Sequence, residues 1–203
     1  MRARPADVTR LGSESQATED GAKVSQVARE LSVVVCGAAP TSDVGALVRL
    51  AQQRSWTVRV IPTLEALSFV DPDELEAMTG SKVEVGYRSP ADPRPPRPDA
   101  LIVAPATFNT VNKAALGITD THALGVIAEA IGREVPVVMV PWVNAPLAGR
   151  EPFRRSVALL RDEGVQFVLR SEDPAARPFG VENADAAAFP WQPALDLVEH
   201  FPG

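Results

Sequence analysis

Five short apolar runs recur along the chain, each followed by a polar break and then by residues of helical period. Leu31–Cys36 (LSVVVC) is β-branched and unbroken, as suits a strand buried on both faces. Trp56–Ile61 is the second run and ends at Pro62-Thr63. Ala100–Ala104 is the third, and Pro105, with no N–H to donate, is expected to end its ladder. Pro136–Val140 and Val165–Leu169 complete the set, and Lys82–Gly86 reads as one further short strand. Between the runs, Asp43–Arg54 places Val44, Leu47, Val48 and Ala51 on one helical face. Leu64–Phe69 and Asp71–Thr79 read as short helical pieces, the second with Pro72 at its first position. Asn109–Leu116, Thr121–Ile131, Pro152–Glu163 (stopped by Gly164) and Gln192–Phe201 predict the remaining helices. Strand and helix alternate throughout, which implies a parallel sheet covered on both faces.

The two ends and one internal loop depart from this pattern. Met1–Gly21 is polar and lacks apolar period, and a helix is expected from Ala22 to Glu30, so residues 1–30 read as a mobile extension and 31–203 as one domain. Arg88–Pro98 (RSPADPRPPRP) holds five prolines and can be neither helix nor central strand. It reads as a stiff loop suited to act as a lid, with Arg88, Arg94 and Arg97 available to an anion. Ser171–Ala187 reads as irregular.

Composition narrows the partners. A chain of 203 residues with 45% hydrophobic content can bury one core. A formal charge of −6 argues against nucleic acid or an anionic membrane as the main partner. Cys36 is the only cysteine, so no intrachain disulfide and no cysteine-based metal cluster can form. No transmembrane run and no apolar signal core are visible, which predicts a soluble cytoplasmic protein without a membrane partner.

In a doubly wound sheet, ligands sit at the carboxyl ends of the strands, and that is where the small polar residues gather. Gly37–Ser42 joins the first strand to the first helix, where unpaired N–H groups and the helix dipole favour an anion. Gly37 permits a tight turn, and Thr41 and Ser42 offer hydroxyls, although either also suits a helix cap. No G-x-G-x-x-G is present, and Asp43 lies where a phosphate would come. Thr63 follows the second strand and by itself reads as an ordinary turn residue. After the third strand come Pro105, Ala106, Thr107, Phe108, Asn109 and Thr110. The Asn109 amide can both donate to and accept from a planar polar ring, or it can cap the next helix. Cys36 ends a buried strand and reads as core rather than nucleophile.

PATFNT resembles the P-A-S-A-N-T loop of the flavin-containing cysteine decarboxylases, the family of phosphopantothenoylcysteine decarboxylase and of lantibiotic-type peptidyl-cysteine decarboxylases. NKAALGITD is similar to that family's N-K-I-A-x-G-x-x-D, and PWVNAPL to its P-x-M-N-x-x-M substrate clamp. The resemblance spans roughly Leu31 to Leu169. It implies a flavodoxin-like (Rossmann-like) three-layer αβα fold with a doubly wound, mainly parallel sheet. It also implies FMN as cofactor, with Gly37, Ala38, Thr41, Ser42 and Thr63 near the phosphate and the 105–110 loop on the ring. The substrate implied is a small-molecule or peptidyl thiol carboxylate, its carboxylate held by Asn144. In the family's chemistry, oxidised flavin takes a hydride from the carbon bearing the thiolate, and the resulting thioaldehyde loses CO₂.

The family also implies a homo-oligomer, a trimer or a trimer-based assembly, and the helices from Asn109 to Ile131 supply Val111, Ala114, Ala115, Leu124, Ile127 and Ala128 for such a contact. Two departures bear on the chemistry. Val143, Leu147 and Ala148 stand where the clamp has Met, Met and Trp, with Arg150, Arg154 and Arg155 close behind. The family's acid–base His has no counterpart before the third strand, since the two histidines are His122, which reads as structural, and His200. The alternative is therefore a flavin-binding or regulatory protein without turnover.

Overall fold

The apolar runs pair side by side because each has branched side chains on both faces and can be buried only in the middle of a sandwich. In a computed structural model of the chain, which describes residues 29–87, 91, 95–169 and 188–201, five parallel strands form one sheet in the order β2-β1-β3-β4-β5. They are β1 (Arg29–Val35), β2 (Trp56–Pro62), β3 (Ala100–Ala106), β4 (Val137–Pro141) and β5 (Gln166–Phe167). The register sets Val35 against Pro62, Val34 against Val103, and Val103 against Met139.

Successive side chains point to opposite layers. Leu31, Val33 and Val35 join Val58, Val60, Ile102 and Val140 beneath α1 (Val44–Gln53), α2 (Pro72–Thr79) and α7 (Trp191–Glu199). Val34, Cys36, Ile61, Leu101, Val103 and Met139 face the other layer, formed by α3 (Phe108–Ala115), α4 (His122–Gly132), α5 (Ala145–Ala148) and α6 (Glu151–Asp162). The result is a flavodoxin-like, three-layer αβα sandwich. Burying each such side chain contributes about 1.5–3 kcal/mol, which is what fixes the alternation. At the amino edge of the sheet a charged cluster ties α7 down. Arg54 bonds Asp196 at 2.5 Å and Glu199 at 2.7 Å, and Trp56 Nε1 donates to Glu199 at 3.0 Å.

Several boundaries differ from the sequence expectation. Pro105 does not end β3. Its carbonyl accepts from Cys36 N at 3.2 Å, and Ala106 pairs with Pro141 across a register shift that follows Val103. A proline lacks only the donor, and here its acceptor suffices. Residues 82–86 form no strand. Val83 N instead donates to the Glu76 carboxylate at 2.8 Å, and Val83 packs into the core beside Leu75. The last strand is two residues long: Gln166 and Phe167 pair with β4, and Val168 adds one bond from its N–H to the Met139 carbonyl at 3.0 Å. Arg29 and Glu30 belong to β1 rather than to a helix, and the rest of the expected Ala22–Glu30 helix lies outside the described residues. The closing helix runs over Trp191–Glu199 rather than to Phe201. Ser171–Ala187 and residues 88–90 and 92–94 of the proline-rich loop also lie outside; Ala91 and residues 95–98 are described and form neither helix nor strand.

Of the side chains expected at a subunit contact, Val111, Leu124 and Ile127 are buried in this chain's own core, and Ala114 and Ala115 pack against it. Leu116 and Ile118, on the connection to α4, are the apolar residues left exposed there. Among the described residues, no helix is long and apolar enough to cross a membrane.

Candidate functional site

The strand order reverses direction between β1 and β3, so the chain leaves these neighbours toward opposite layers, β1 to α1 and β3 to α3. A crevice opens at such a switch point, on the carboxyl edge. Four loops meet there: 36–43 after β1, 63–68 after β2, 107–110 after β3 and 142–144 after β4.

The first loop is a tight turn followed by a 3-10 segment, Ala39–Asp43. Gly37 is required by contact: a β-carbon there would stand 2.6 Å from Glu65 Cβ and 3.0 Å from Glu65 carbonyl carbon. The amides of Gly37 and Ala38 donate to no acceptor among the described residues, and so remain available to a ligand. Thr41 is fully buried and donates to the Cys36 carbonyl at 2.6 Å, while Ser42 donates to the Ala39 carbonyl at 3.0 Å. Both hydroxyl protons therefore stabilise the turn itself. Asp43, and neither Thr41 nor Ser42, precedes α1, and it makes no side-chain cap.

The second loop contributes Thr63. Its N–H donates to the Val35 carbonyl at 2.9 Å, while its Oγ1 is buried with no partner among the described residues. A buried hydroxyl left unpaired is costly, and such groups mark a place where something else binds. Glu65 lies two residues on, exposed.

The third loop is held by a chain of polar contacts. Thr107 caps α3, accepting from Thr110 N at 3.4 Å. Its hydroxyl lies 3.0 Å from that of Thr110, which lies 3.2 Å from Cys36 Sγ. Burial pushes the Cys36 thiol above its ordinary range, against the hydrogen bonds from Thr110 and Thr107, and the Glu65 carboxylate adds to the rise. Ala106 accepts from Trp142 N at 2.8 Å, joining this loop to the next. Since Thr107 does the capping, Asn109 does not. Its side chain is exposed and makes no hydrogen bond within the described chain.

Behind this loop, Phe108 stacks on Phe153 of α6 at 5.9 Å between centroids. Asn112 donates to the Phe108 carbonyl and accepts from the buried Ser156 hydroxyl, both at 2.7 Å. Sequence reading missed the Phe108–Phe153 and Asn112–Ser156 bridges, because each joins residues more than forty positions apart.

The fourth loop brings Asn144. Its Oδ1 caps α5 by accepting from Leu147 N at 3.0 Å, which leaves its NH₂ group free. Val143 and Ala148 are buried in the core, while Leu147 is half-buried. Arg154 pairs with Glu151; Arg150 and Arg155 are exposed. Neither histidine joins the four loops. His122 opens α4 with Nε2 3.5 Å from a Glu84 carboxylate oxygen and its ring edge-on to Tyr87, and His200 follows α7 with Nδ1 2.8 Å from the Asp196 carbonyl. Cys36 is core, as expected.

Two free amides, one orphaned hydroxyl and two amide side chains fit a polar, planar ligand with an anionic end. Glu65 and Asp43 are the groups that oppose that end.

Comparisons with known proteins identify the family and the fold. A family model described as Flavoprotein matches residues 21–201. The coenzyme A biosynthesis bifunctional protein CoaBC of Mycobacterium tuberculosis is 30% identical over 144 residues, 68% of this chain and 34% of that protein. The CoaBC protein of Thermococcus kodakarensis is 23% identical over 163 residues, 77% of this chain and 40% of that protein. The chain thus spans between 34% and 40% of the length of these relatives. Among solved structures, the FMN-dependent cysteine decarboxylase SpaF superposes with a TM-score of 0.61 at 25% identity, over 82% of this chain and 97% of that one.

Proposed function

The chain belongs to the Flavoprotein family, and from that premise we propose that it binds FMN across the β1/β3 crevice and acts as a decarboxylase-like enzyme on a cysteine-type thiol carboxylate, small or peptidyl. The observation that carries this reading is the set of unpartnered polar groups on neighbouring strand ends: the Gly37 and Ala38 amides, Thr63 Oγ1, the Asn109 side chain and the Asn144 NH₂. The first three suit a phosphate, Asn109 suits the edge of the flavin ring, and Asn144 suits the substrate carboxylate. Bound FMN would supply the acceptor for a hydride from the carbon that bears the thiol. The chain's own residues bind and orient. Thr107 and Thr110 fix the loop that would face the ring, and the Asn144 cap holds its amide at the mouth of β4.

A second reading, a flavin-binding or regulatory protein without turnover, is favoured by the histidines. None stands on the four loops, and a missing general base costs about 10²–10⁴-fold. Exposed Leu116 and Ile118 support self-assembly through the α3–α4 connection, which light scattering with and without FMN would test.

One experiment separates the readings. FMN, FAD and NAD are titrated calorimetrically, and the FMN-loaded protein is then mixed anaerobically with cysteine, with small thiol carboxylates and with peptides ending in cysteine. Binding of FMN with bleaching by one thiol class supports the enzyme. Binding without bleaching supports the second reading, and no flavin binding at high micromolar concentration removes both.

A further inference from the structure

The turns after β1 and β2 touch at the carboxyl edge, and the contact puts an acid beside the free amides. A β-carbon on Gly37 would lie 2.6 Å from Glu65 Cβ and 3.1 Å from its carbonyl oxygen. The Glu65 side chain therefore leaves the backbone directly against the Gly37–Ala38 turn. It is exposed and forms no ion pair among the described residues. Burial chiefly raises the Cys36 thiol, and the negative charge of Glu65 adds to the rise.

Among the described residues, no ion pair neutralises it. Residues 37–43 and 63–66 contain no Lys or Arg, and Asp43, at the far end of the same turn, is likewise exposed and makes no cap hydrogen bond. A phosphate dianion brought to the free amides meets a fixed negative charge, whereas the uncharged ring and its polyol chain do not.

We propose that Glu65 is a specificity-determining residue for the cofactor: it lowers the affinity for the phosphorylated flavin relative to the unphosphorylated one, so that FMN is held as an exchangeable group. The inference rests on the flavin reading above. Between like charges at a partly solvated surface the repulsion amounts to about three- to tenfold in affinity, and added salt screens it.

The test titrates FMN and riboflavin calorimetrically into the wild-type protein, Glu65→Gln, Glu65→Ser and Glu163→Gln, at low and high salt. Glu163 is an exposed acid at the opposite edge of the sheet, where it follows α6, and it controls for the change in net charge. Glu65→Gln and Glu65→Ser are expected to bind FMN about three- to tenfold more tightly with riboflavin unchanged. Glu163→Gln should alter neither, and salt should tighten FMN binding in the wild type more than in Glu65→Gln. Unchanged or weaker FMN binding in both Glu65 variants overturns the proposal, as does an equal gain for both flavins. Failure of the wild-type protein and the variants to bind either flavin overturns the flavin reading, and the proposal with it.

Discussion

Thr63→Val changes apo stability and ligand affinity in opposite directions. Thr63 Oγ1 is buried and unpaired among the described residues, and the backbone is extended at φ −70° and ψ 163°, a conformation a β-branched residue accepts. Valine keeps the shape and removes the hydroxyl. An unsatisfied buried hydroxyl costs about 1–3 kcal/mol, so the apo variant should be more stable by about 1 kcal/mol. The Thr63 N–H bond to the Val35 carbonyl is unaffected, because it is backbone. With FMN the sign reverses. A hydrogen bond from this hydroxyl to a phosphate oxygen is charge-assisted and contributes about 1.5–3 kcal/mol, so the dissociation constant should rise about 10- to 150-fold. Urea unfolding of the apo protein, with the m-value held constant, measures the first quantity, and calorimetric titration measures the second. A variant that is less stable without FMN and unchanged in FMN affinity would refute the reasoning, since the hydroxyl would then have a structural partner.

Four further outcomes follow from the structure. Gly37→Ala places a methyl group 2.6 Å from Glu65 Cβ and against its backbone, so one turn must move; a loss of about 1–3 kcal/mol in urea unfolding is expected, and a loss below about 0.5 kcal/mol would show that the turns are not in contact. Asn109→Ala should weaken FMN binding by about 1–3 kcal/mol. Asn144→Asp, which keeps the α5 cap but replaces the free NH₂ with an anionic oxygen, should leave FMN binding nearly intact and abolish thiol-dependent bleaching; equal loss of FMN in both variants would mean that the cofactor and substrate contacts have been exchanged. Glu199 titrates below its ordinary range: burial raises it, but the hydrogen bonds from Trp56 and Arg54, together with the charges of Arg54 and Arg29, outweigh burial. A depressed carboxyl stabilises the fold above its unfolded value, so this contribution is lost as pH falls below about 4.5 and through the folded value. Glu30 shifts the opposite way, chiefly by burial, and is common to both proteins in the comparison. Urea midpoints between pH 7 and pH 3 should fall less steeply for Glu199→Gln than for the wild type, and parallel curves would assign the acid sensitivity elsewhere.

The sequence alone determined the layers. Runs such as Leu31–Cys36 and Ala100–Ala104 are apolar at every position, and only a two-sided parallel sheet can bury such runs, while Val44, Leu47, Val48 and Ala51 fall on one face because helical period is a local property. The loops at the carboxyl edge were legible for the same reason: small polar residues immediately after a buried run have one place to be. The tertiary structure decided which of those groups are free. Thr41, Ser42 and Thr63 are alike as sequence, yet two of the hydroxyls bond to their own turn and the third is left unpaired, which depends on backbone carbonyls brought near by folding. Glu65 gave no signal, because its importance comes from a contact with Gly37 across two strands. Pro105 continued a strand that its missing donor was expected to end, because Cys36, just past the neighbouring strand, needed an acceptor and a proline carbonyl still provides one. Local chemistry fixes what each segment can form, whereas the pairing of donors with acceptors depends on which segments become neighbours.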